Sequence, residues 1–430
     1  MRALVVGGGG REHALVWGLA RSPSVDKVIA APGNPGIAET ARCIPVDAKD
    51  AGAVAALADE VDADLVVVGP EEPLVNGVVD AVEARGRRAF GPTAAGARLE
   101  GSKAWMKDVL EGAGVPTARH ASFTAADEDA ALTFLEMLGG LYVVKTDGLA
   151  AGKGVLVTES LSEARDAVRA YLSGDAFGDA GRRVVIEEGM RGPELSLLVV
   201  CSGIADSATP LAPAQDFKRI RDGDAGPNTG GMGAYSPVPI AGRELIDEVM
   251  ETAVQPTLHA LAAQGVAYRG VLYAGLMLTP DGPKVVEYNV RFGDPECQVV
   301  LPRLTSDLGV LLHAAASGER ELEASFGDDA CVTVVMASEG YPASSHAGDP
   351  IEGIEAASAL DGVMVFHAGT GRDEQGGLVT AGGRVLDVTA VAPTVEQARA
   401  RAYEACKLIH FSGMQYRRDI AAAAAVRVTP

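Results

Sequence analysis

The sequence predicts an α/β protein built in lobes: a parallel-sheet domain over residues 1–102, a central domain from 103–122 and 195–325, a small α+β lobe at 123–194, and a C-terminal α+β lobe over 326–430. Three observations predict it. The first hundred residues alternate short apolar runs with helical patterns, as strand–helix–strand units of a parallel sheet do. Beyond Lys103 strands and helices mix around glycine-rich turns, which reads as α+β. The chain has 430 residues, 47% of them hydrophobic, enough for several buried cores.

The elements follow in order. Residues 3–6 read as a strand, 14–20 as a helix and 28–31 as a second strand. Segments 43–46, 65–68 and 89–90 are further strands, with helices at 51–60 and 75–85 between them. Helix 103–111 stops at Gly112 and Gly114, with Pro116 behind them. The small lobe consists of strand 119–123, helix 127–138, strand 141–145, strand 155–158, helix 162–172 and strand 183–188. Strands resume at Leu195. Segment 222–239, rich in Gly, Pro and Asn, reads as a long loop, and loops of that length inside a compact domain are usually functional. Helix 243–264 precedes strands 270–278 and 284–289, which Pro280, Asp281 and Gly282 join as a turn. Strands 331–336, 363–367 and 385–388 and helix 394–410 complete the chain.

Charge and cysteine usage narrow the function. Against 37 Lys and Arg stand 58 Asp and Glu, a net charge of −21. Such a chain repels phosphate backbones and anionic lipid at long range, so neither nucleic acid nor a membrane is expected as partner. Small anions need only a few local cations. Cys43, Cys201, Cys297, Cys331 and Cys406 are odd in number and never form a Cys-x-x-Cys pair, which implies neither a disulfide framework nor a zinc site. With no apolar run of about 18 residues and no export signal at Met1-Arg2, the expected location is cytoplasmic.

Four motifs carry chemistry. Gly7-Gly8-Gly9-Gly10-Arg11-Glu12-His13 lies between a strand and a helix, where amides and helix polarity receive a phosphate. As a dinucleotide fingerprint it lacks the third glycine, and the second strand ends in Pro32-Gly33 without a ribose-binding acid. A phosphate monoester on Arg11 fits better; the bland alternative is a tight turn. Lys145 to Gly154 resembles a phosphate loop that is one residue short and is followed by a strand, so it reads as a glycine-rich hairpin able to cover nucleotide phosphates. The strand ending at Glu187 and Glu188, with Glu194 seven residues after Glu187, can pair a base through its backbone and a ribose through Glu194; its bland alternative is a solvated strand end. In Val285 to Glu296, period-2 alternation puts Val285, Glu287, Asn289 and Arg291 on one face. Oxygen donors two residues apart suit Mg²⁺, and Arg291 beside them suits a carboxylate or phosphoryl group. Asp294-Pro295-Glu296 also reads as a helix N-cap with Pro at N1.

In this order the motifs resemble the ATP-grasp superfamily and, within it, the phosphoribosylamine–glycine ligase family. The resemblance runs along essentially the whole chain. It rests on Gly9 to Leu15, Ala31-Pro32-Gly33-Asn34, Gly69-Pro70-Glu71, Lys145 to Gly154, Gln215-Asp216, Gly226 to Pro237, and Arg291-Phe292-Gly293-Asp294-Pro295-Glu296, the last being the family's signature. Phe217 stands where the family usually has His, and Gly8 where Asn or Ser is common. The resemblance implies an ATP-grasp fold with an N-terminal Rossmann-like domain, and a ligase joining glycine to 5-phosphoribosylamine with ATP as co-substrate and Mg²⁺ or Mn²⁺ as cofactor. It implies a monomer or weak homodimer.

The same resemblance implies roles. Lys103 and Lys145 would hold the α/β-phosphates, with Gly152, Lys153 and Gly154 in the flap. Glu187, Glu188 and Met190 would form the adenine hinge, and Glu194 would bind ribose. Glu287 and Asn289 would hold the metal. Arg291, with Lys145 and Asp294, would serve the chemistry. Asp216 and Lys218, again with Asp294, would position glycine, while Gly10, Arg11, Glu12, Asn34 and Glu71 would hold phosphoribosylamine. The nearest alternative is another ATP-grasp ligase with a different acid or amine; a dinucleotide-dependent oxidoreductase is opposed by the failed fingerprint.

Overall fold

The computed structural model describes residues 1–148, 154–174 and 183–425. Its first sheet is wholly parallel, in the order Arg42–Cys43, Lys27–Pro32, Arg2–Gly7, Leu65–Val68, Ala89–Phe90. Strand Leu65–Val68 is buried along its whole length, as a parallel strand covered on both faces must be. Three expectations change here. The first helix begins at Gly10, not residue 14, because Glu12 at its third position accepts from the Gly9 amide and caps the turn. The expected helix 75–85 is two helices, Glu71–Val75 and Val78–Glu83, parted by Gly77 at φ +80°. Strand 43–46 shrinks to Arg42–Cys43. A helix the periodicity did not suggest, Ala94–Gly101, leads into helix Lys103–Gly112.

The small lobe is an antiparallel sheet in the order His120–Thr124, Arg183–Glu188, Tyr142–Thr146, Val155–Thr158. Helices Glu128–Glu136 and Leu161–Leu172 cover it. The core between them holds Phe134, Leu135, Val144, Val168 and Ile186, separate from the other cores. The central sheet runs Ala208–Pro210, Glu194–Ser202, Arg269–Thr279, Gly282–Asn289, again antiparallel.

Segment 222–239 is not one long loop. Strand Ala225–Asn228 pairs with Arg219–Arg221, and Gly233–Ser236 pairs with both Gln215–Asp216 and Ala330–Ala337. The Ala225–Asn228 pairing is a local hairpin, but Gly233–Ser236 finds Ala330–Ala337 about a hundred residues away, which no local pattern reveals. The resulting sheet, Gln215–Asp216, Gly233–Ser236, Ala330–Ala337, Arg384–Ala392, Val363–His367, ties the centre of the chain to its C-terminal part. Helix Val395–Cys406, shorter than the expected 394–410, packs on it. Among the described residues, no helix is long and apolar enough to cross a membrane.

Candidate active site

One cleft of about 1010 Å³ lies where the four sheets meet, and Arg11, Glu71, Lys103, Lys145, Gly154, Asp216, Lys218, Glu287, Asn289, Arg291 and Asp294 all line it. Gly10, Glu12, Asn34, Glu187, Glu188, Met190 and Glu194 do not line it. Gly152 and Lys153 lie outside the described residues.

One side of the cleft is built from the helix Lys103–Gly112 and the small-lobe strands. Ser102 caps that helix through the Trp105 amide, and Asp147 adds a second acceptor for the Ala104 amide. The cap holds Lys103 at the helix start, its Nζ donating to the Gly148 carbonyl at 2.8 Å. Burial lowers the Lys103 pKa, although Glu287 opposes the fall. Lys145, at the end of its strand, stands 2.8 Å from Glu187, whose other oxygen meets Lys107 at 3.0 Å. Burial alone would lower the Lys145 pKa; Glu187 and Glu287 outweigh it and raise it. Glu187 is thus a buried counter-ion, held ionised against its burial by the two lysines. Glu188 accepts from the Arg119 amide, and Met190 sits half-buried in the crossing to strand Glu194–Ser202.

Strand Gly282–Asn289 faces these lysines. Gly275 pairs with Glu287 but Leu276 pairs with Val285, a bulge that breaks strict alternation at Val286. Val285 therefore joins the apolar core with Tyr288 instead of sharing the Glu287 face, which corrects the period-2 expectation. Glu287 accepts no hydrogen bond from any described residue. Against its burial, Lys218, Lys145, Lys103 and Arg291 pull its pKa down. A free carboxylate with an amide oxygen two residues on, facing lysines across the cleft, fits a hard divalent cation that takes its remaining ligands from ligand oxygens and water. No cluster of three or more His, Cys, Asp or Glu that could hold a metal occurs among the described residues.

Arg291 is locked between carboxylates. Its Nε lies 3.2 Å from Glu71 and its Nη2 lies 3.0 Å from Glu100 and 3.2 Å from the Asn289 oxygen. Glu71 also lies 3.7 Å from Arg11, and despite burial the two guanidiniums hold its pKa at about 2. Arg11 donates to Glu12 at 2.6 Å and to the Phe292 carbonyl at 3.3 Å. Glu12 is 2% exposed, both of its oxygens taken by Arg11 and the Gly9 amide, so it shapes the loop from within. Asn34 is likewise engaged: its amide donates to the Gly8 and His367 carbonyls and accepts from the Ile37 amide. Gly10 packs against the C-terminal lobe, where a Cβ would come 1.8 Å from Asp387.

Asp294 is not a helix cap, because the helix starts only at Cys297. Its carboxylate instead receives Arg384 at 2.8 Å and Gln298 at 2.7 Å. Lys218 donates to both Asp216 oxygens, at 2.8 and 2.9 Å, and meets Glu194 at 3.1 Å. Phe217 packs on Tyr235, with the Arg417 guanidinium 5.0 Å from its ring.

Sequence reasoning missed Lys107, Glu100, Tyr273, Glu296 and Arg384. Lys107 carried a signal, since it lies one turn after Lys103 among the buried Ala104, Met106 and Leu110. Glu100, Tyr273 and Arg384 carried none, because their partners are distant in the chain.

A four-stranded lobe set against an antiparallel sheet, with lysines facing a carboxylate–amide pair across the cleft, is the ATP-grasp arrangement. Family models agree along the chain: the N domain of phosphoribosylglycinamide synthetase matches residues 1–100, its ATP-grasp (A) domain 101–297 and its C domain 331–423. The chain belongs to the phosphoribosylglycinamide synthetase family. It is 52% identical over 430 residues to the phosphoribosylamine–glycine ligase of Streptomyces coelicolor, covering 99% of this chain and 100% of the relative. The Brucella melitensis ligase is 49% identical over 98% of this chain and 97% of its own length. The crystal structure of the Thermotoga maritima ligase superposes with a TM-score of 0.82 at 34% identity, over 98% of this chain and all of that one. A biotin carboxylase domain from Hydrogenobacter thermophilus, 19% identical with a TM-score of 0.73 over 96% of this chain and 91% of that one, shares the fold.

Proposed function

We propose that the chain is an ADP-forming ligase that condenses glycine with 5-phosphoribosylamine, giving glycinamide ribonucleotide, ADP and phosphate in purine biosynthesis. The observation that carries the reading is one cleft in which the Lys103 and Lys145 side faces Glu287 and Asn289, while Arg11 of the N-terminal glycine loop opens beside Arg291.

A carboxylate acylates amines poorly. A glycine carboxylate oxygen therefore attacks the γ-phosphorus of ATP, ADP leaves, and glycyl phosphate forms. The amine nitrogen of phosphoribosylamine then attacks the acyl carbon, phosphate departs with the acyl–oxygen bond, and the nitrogen loses a proton. Both steps need alignment and charge neutralisation more than covalent help from the protein. Lys103 and Lys145 neutralise the α/β-phosphates, and Glu287 and Asn289 are the residues that would hold a divalent cation. Such a cation, when bound, screens phosphate charge. Arg291, fixed by Glu71 and Glu100, presents its guanidinium to the transferred phosphoryl group and the developing oxyanion. The amides around Gly10 and Arg11 receive the sugar phosphate. The strand end from Glu187 to Met190, beside the cleft and not lining it, is assigned to adenine and Glu194 to the ribose, and Gly154 at the start of strand Val155–Thr158 to the phosphates.

The test is ADP release with ATP, Mg²⁺ and glycine, phosphoribosylamine being generated in place from ribose 5-phosphate and ammonia. Dependence on glycine and on both amine precursors is expected. Release indifferent to glycine refutes the assignment and points to another carboxylic acid.

A further inference from the structure

Asp387 and Gln298 lie just behind the cleft, and between them they leave two buried oxygens without a partner. Asp387, on the strand Arg384–Ala392, is 1% exposed, and Gln298, on the short helix Cys297–Val300, is fully buried. The Gln298 amide nitrogen donates to Asp294 at 2.7 Å and to Asp387 Oδ2 at 2.9 Å. Gln298 Oε1 and Asp387 Oδ1 accept nothing from any described residue. Both are acceptors while Asp387 is ionised, so neither serves the other. A proton on Asp387 Oδ1 turns that oxygen into a donor. Two residues already joined by one hydrogen bond then close a second, as a carboxylic acid and a carboxamide do in a cyclic pair.

Charge points the same way. Among the described residues Asp387 has no ion-pair partner, because Arg384, three residues before it on the strand, is engaged by Asp294 at 2.8 Å. A buried carboxylate that lacks a cation gives up its charge. Burial pushes the Asp387 carboxyl up to about 7, Asp294 adding to the rise and Arg384 opposing it. The other titratable groups on the elements packed around it supply no cation. Arg11 is paired with Glu12, and Arg291 with Glu71 and Glu100. Burial draws His13 down to about 3 and His367 to about 4, and it raises the Cys297 and Cys331 thiols. Glu296 accepts from the Tyr273 and Ser196 hydroxyls.

We propose that Asp387 stands as a neutral carboxylic acid in a cyclic pair with the Gln298 amide, and that this pair steers Gln298 onto Asp294 and keeps the phosphate end of the N-terminal loop free of a competing anion. The inference rests on the ligase reading above and adds a positioning residue to it. Asp294 lines the cleft while Asp387 and Gln298 do not, so the pair acts through its neighbours. Asp387 Oδ2 occupies the place that a side chain on residue 10 would take, at the start of helix Gly10–Ala20. An ionised Asp387 there faces the same helix end that receives the sugar phosphate. The neutral acid leaves that end to the substrate.

The test uses the full chain and one substitution. Asp387→Asn reproduces the protonated acid permanently, its amide accepting from Gln298 Nε2 and donating to Gln298 Oε1. The folded wild type keeps a proton that the unfolded chain sheds between pH 3.8 and about 7, so its stability falls as pH rises through that window, and the variant escapes the fall. The urea midpoint of Asp387→Asn should therefore exceed that of the wild type at about pH 8, and the gap should narrow toward about pH 5. Calorimetric titration with glycinamide ribonucleotide, which carries the sugar phosphate, should give affinities within about twofold at about pH 6 and roughly fivefold or tighter binding by the variant at about pH 8.5. A variant less stable than the wild type at about pH 8, or one that fails to fold, overturns the acid pair. Affinities that track each other across the pH range overturn its action on the substrate. Wild type that binds no glycinamide ribonucleotide at either pH overturns the ligase reading itself, while the urea comparison still decides the pair.

Discussion

Glu187→Gln tests how two buried lysines, Lys145 of the cleft and Lys107 behind it, are held. Glu187 is 2% exposed and meets Lys145 at 2.8 Å and Lys107 at 3.0 Å, so two positive charges share one negative charge in a dry setting. Among the described residues it is the one carboxylate in ion-pair contact with either lysine. Removing it leaves two uncompensated ammoniums, a loss of about 3–5 kcal/mol. The loss has a ceiling, because a lysine without its anion sheds its proton; lowering a lysine pKa from 10.4 to 7 corresponds to about 4.6 kcal/mol. Lys107→Met acts on the same triad but leaves Glu187 and Lys145 as a neutral pair. The charged hydrogen bond it removes is worth about 1.5–3 kcal/mol. That is partly offset by relief of the burial that already draws Lys107 down to about 8, leaving a net loss of about 1 kcal/mol. Urea unfolding followed by tryptophan fluorescence reads the difference, since Trp105 sits on the same helix as Lys107. Glu187→Gln should be the more destabilising by about 2–4 kcal/mol. Equal losses, or a larger one for Lys107→Met, would refute the view that the anion limits the triad. The pH dependence has a definite sign. Burial draws the folded Lys107 down to about 8 from its ordinary 10.5, so in that window the unfolded chain keeps a proton that the folded chain has released. Stability gains from this group as pH rises from about 8 to 10.5, and Lys107→Met abolishes that gain.

Three further perturbations separate the halves of the cleft. Arg11→Ala should raise the phosphoribosylamine KM roughly tenfold or more, with the ATP KM within twofold, because the change strips a cation from the N-terminal loop alone; an unchanged amine KM makes that loop structural. Glu287→Ala should lower turnover roughly a hundredfold or more and remove the Mg²⁺ dependence of ATP binding, measured by titration calorimetry; retained Mg²⁺ dependence refutes the metal assignment. Gly10→Ala should cost about 1–3 kcal/mol in urea unfolding, since the new Cβ would meet Asp387 at 1.8 Å and Gln298 at 2.8 Å. Wild-type stability would show that the C-terminal lobe yields at this contact.

What the sequence made legible was whatever short-range chemistry enforces. The parallel sheet could be read because Ala3 to Val6 and Leu65 to Val68 are continuous apolar runs between helices. That Glu287 and Asn289 share a strand face was readable from period-2 alternation, whereas Val285 leaves that face at the bulge by Val286, which no residue type announces. Segment 222–239 was unreadable for the opposite reason. Its glycines and prolines suit a loop, while the strand Gly233–Ser236 exists through pairing with Ala330–Ala337. The roles expected of Glu12 and Asn34 met a similar limit. A polar residue beside a glycine loop looks like a ligand-binding group until the structure shows its atoms taken by Gly9, Arg11, Gly8 and His367.

The cleft also explains how a chain of net charge −21 handles polyanionic substrates. At physiological salt, charges more than about 8 Å away are largely screened at the surface, so the local arrangement decides binding. That arrangement pairs nearly every working cation with a carboxylate: Arg11 with Glu12, Arg291 with Glu71 and Glu100, Lys145 with Glu187, Lys218 with Asp216, Arg384 with Asp294. Each carboxylate offsets the desolvation of its partner and fixes its direction before substrate arrives. Lys103 differs: among the described residues it holds only a backbone carbonyl, and burial lowers its pKa. Phosphate that reaches it therefore meets a cation with no anion to displace, whereas phosphate at Lys145 must share that lysine with Glu187. The same logic sets apart Glu287 and Glu296, two cleft carboxylates with no ion-pair partner among the described residues.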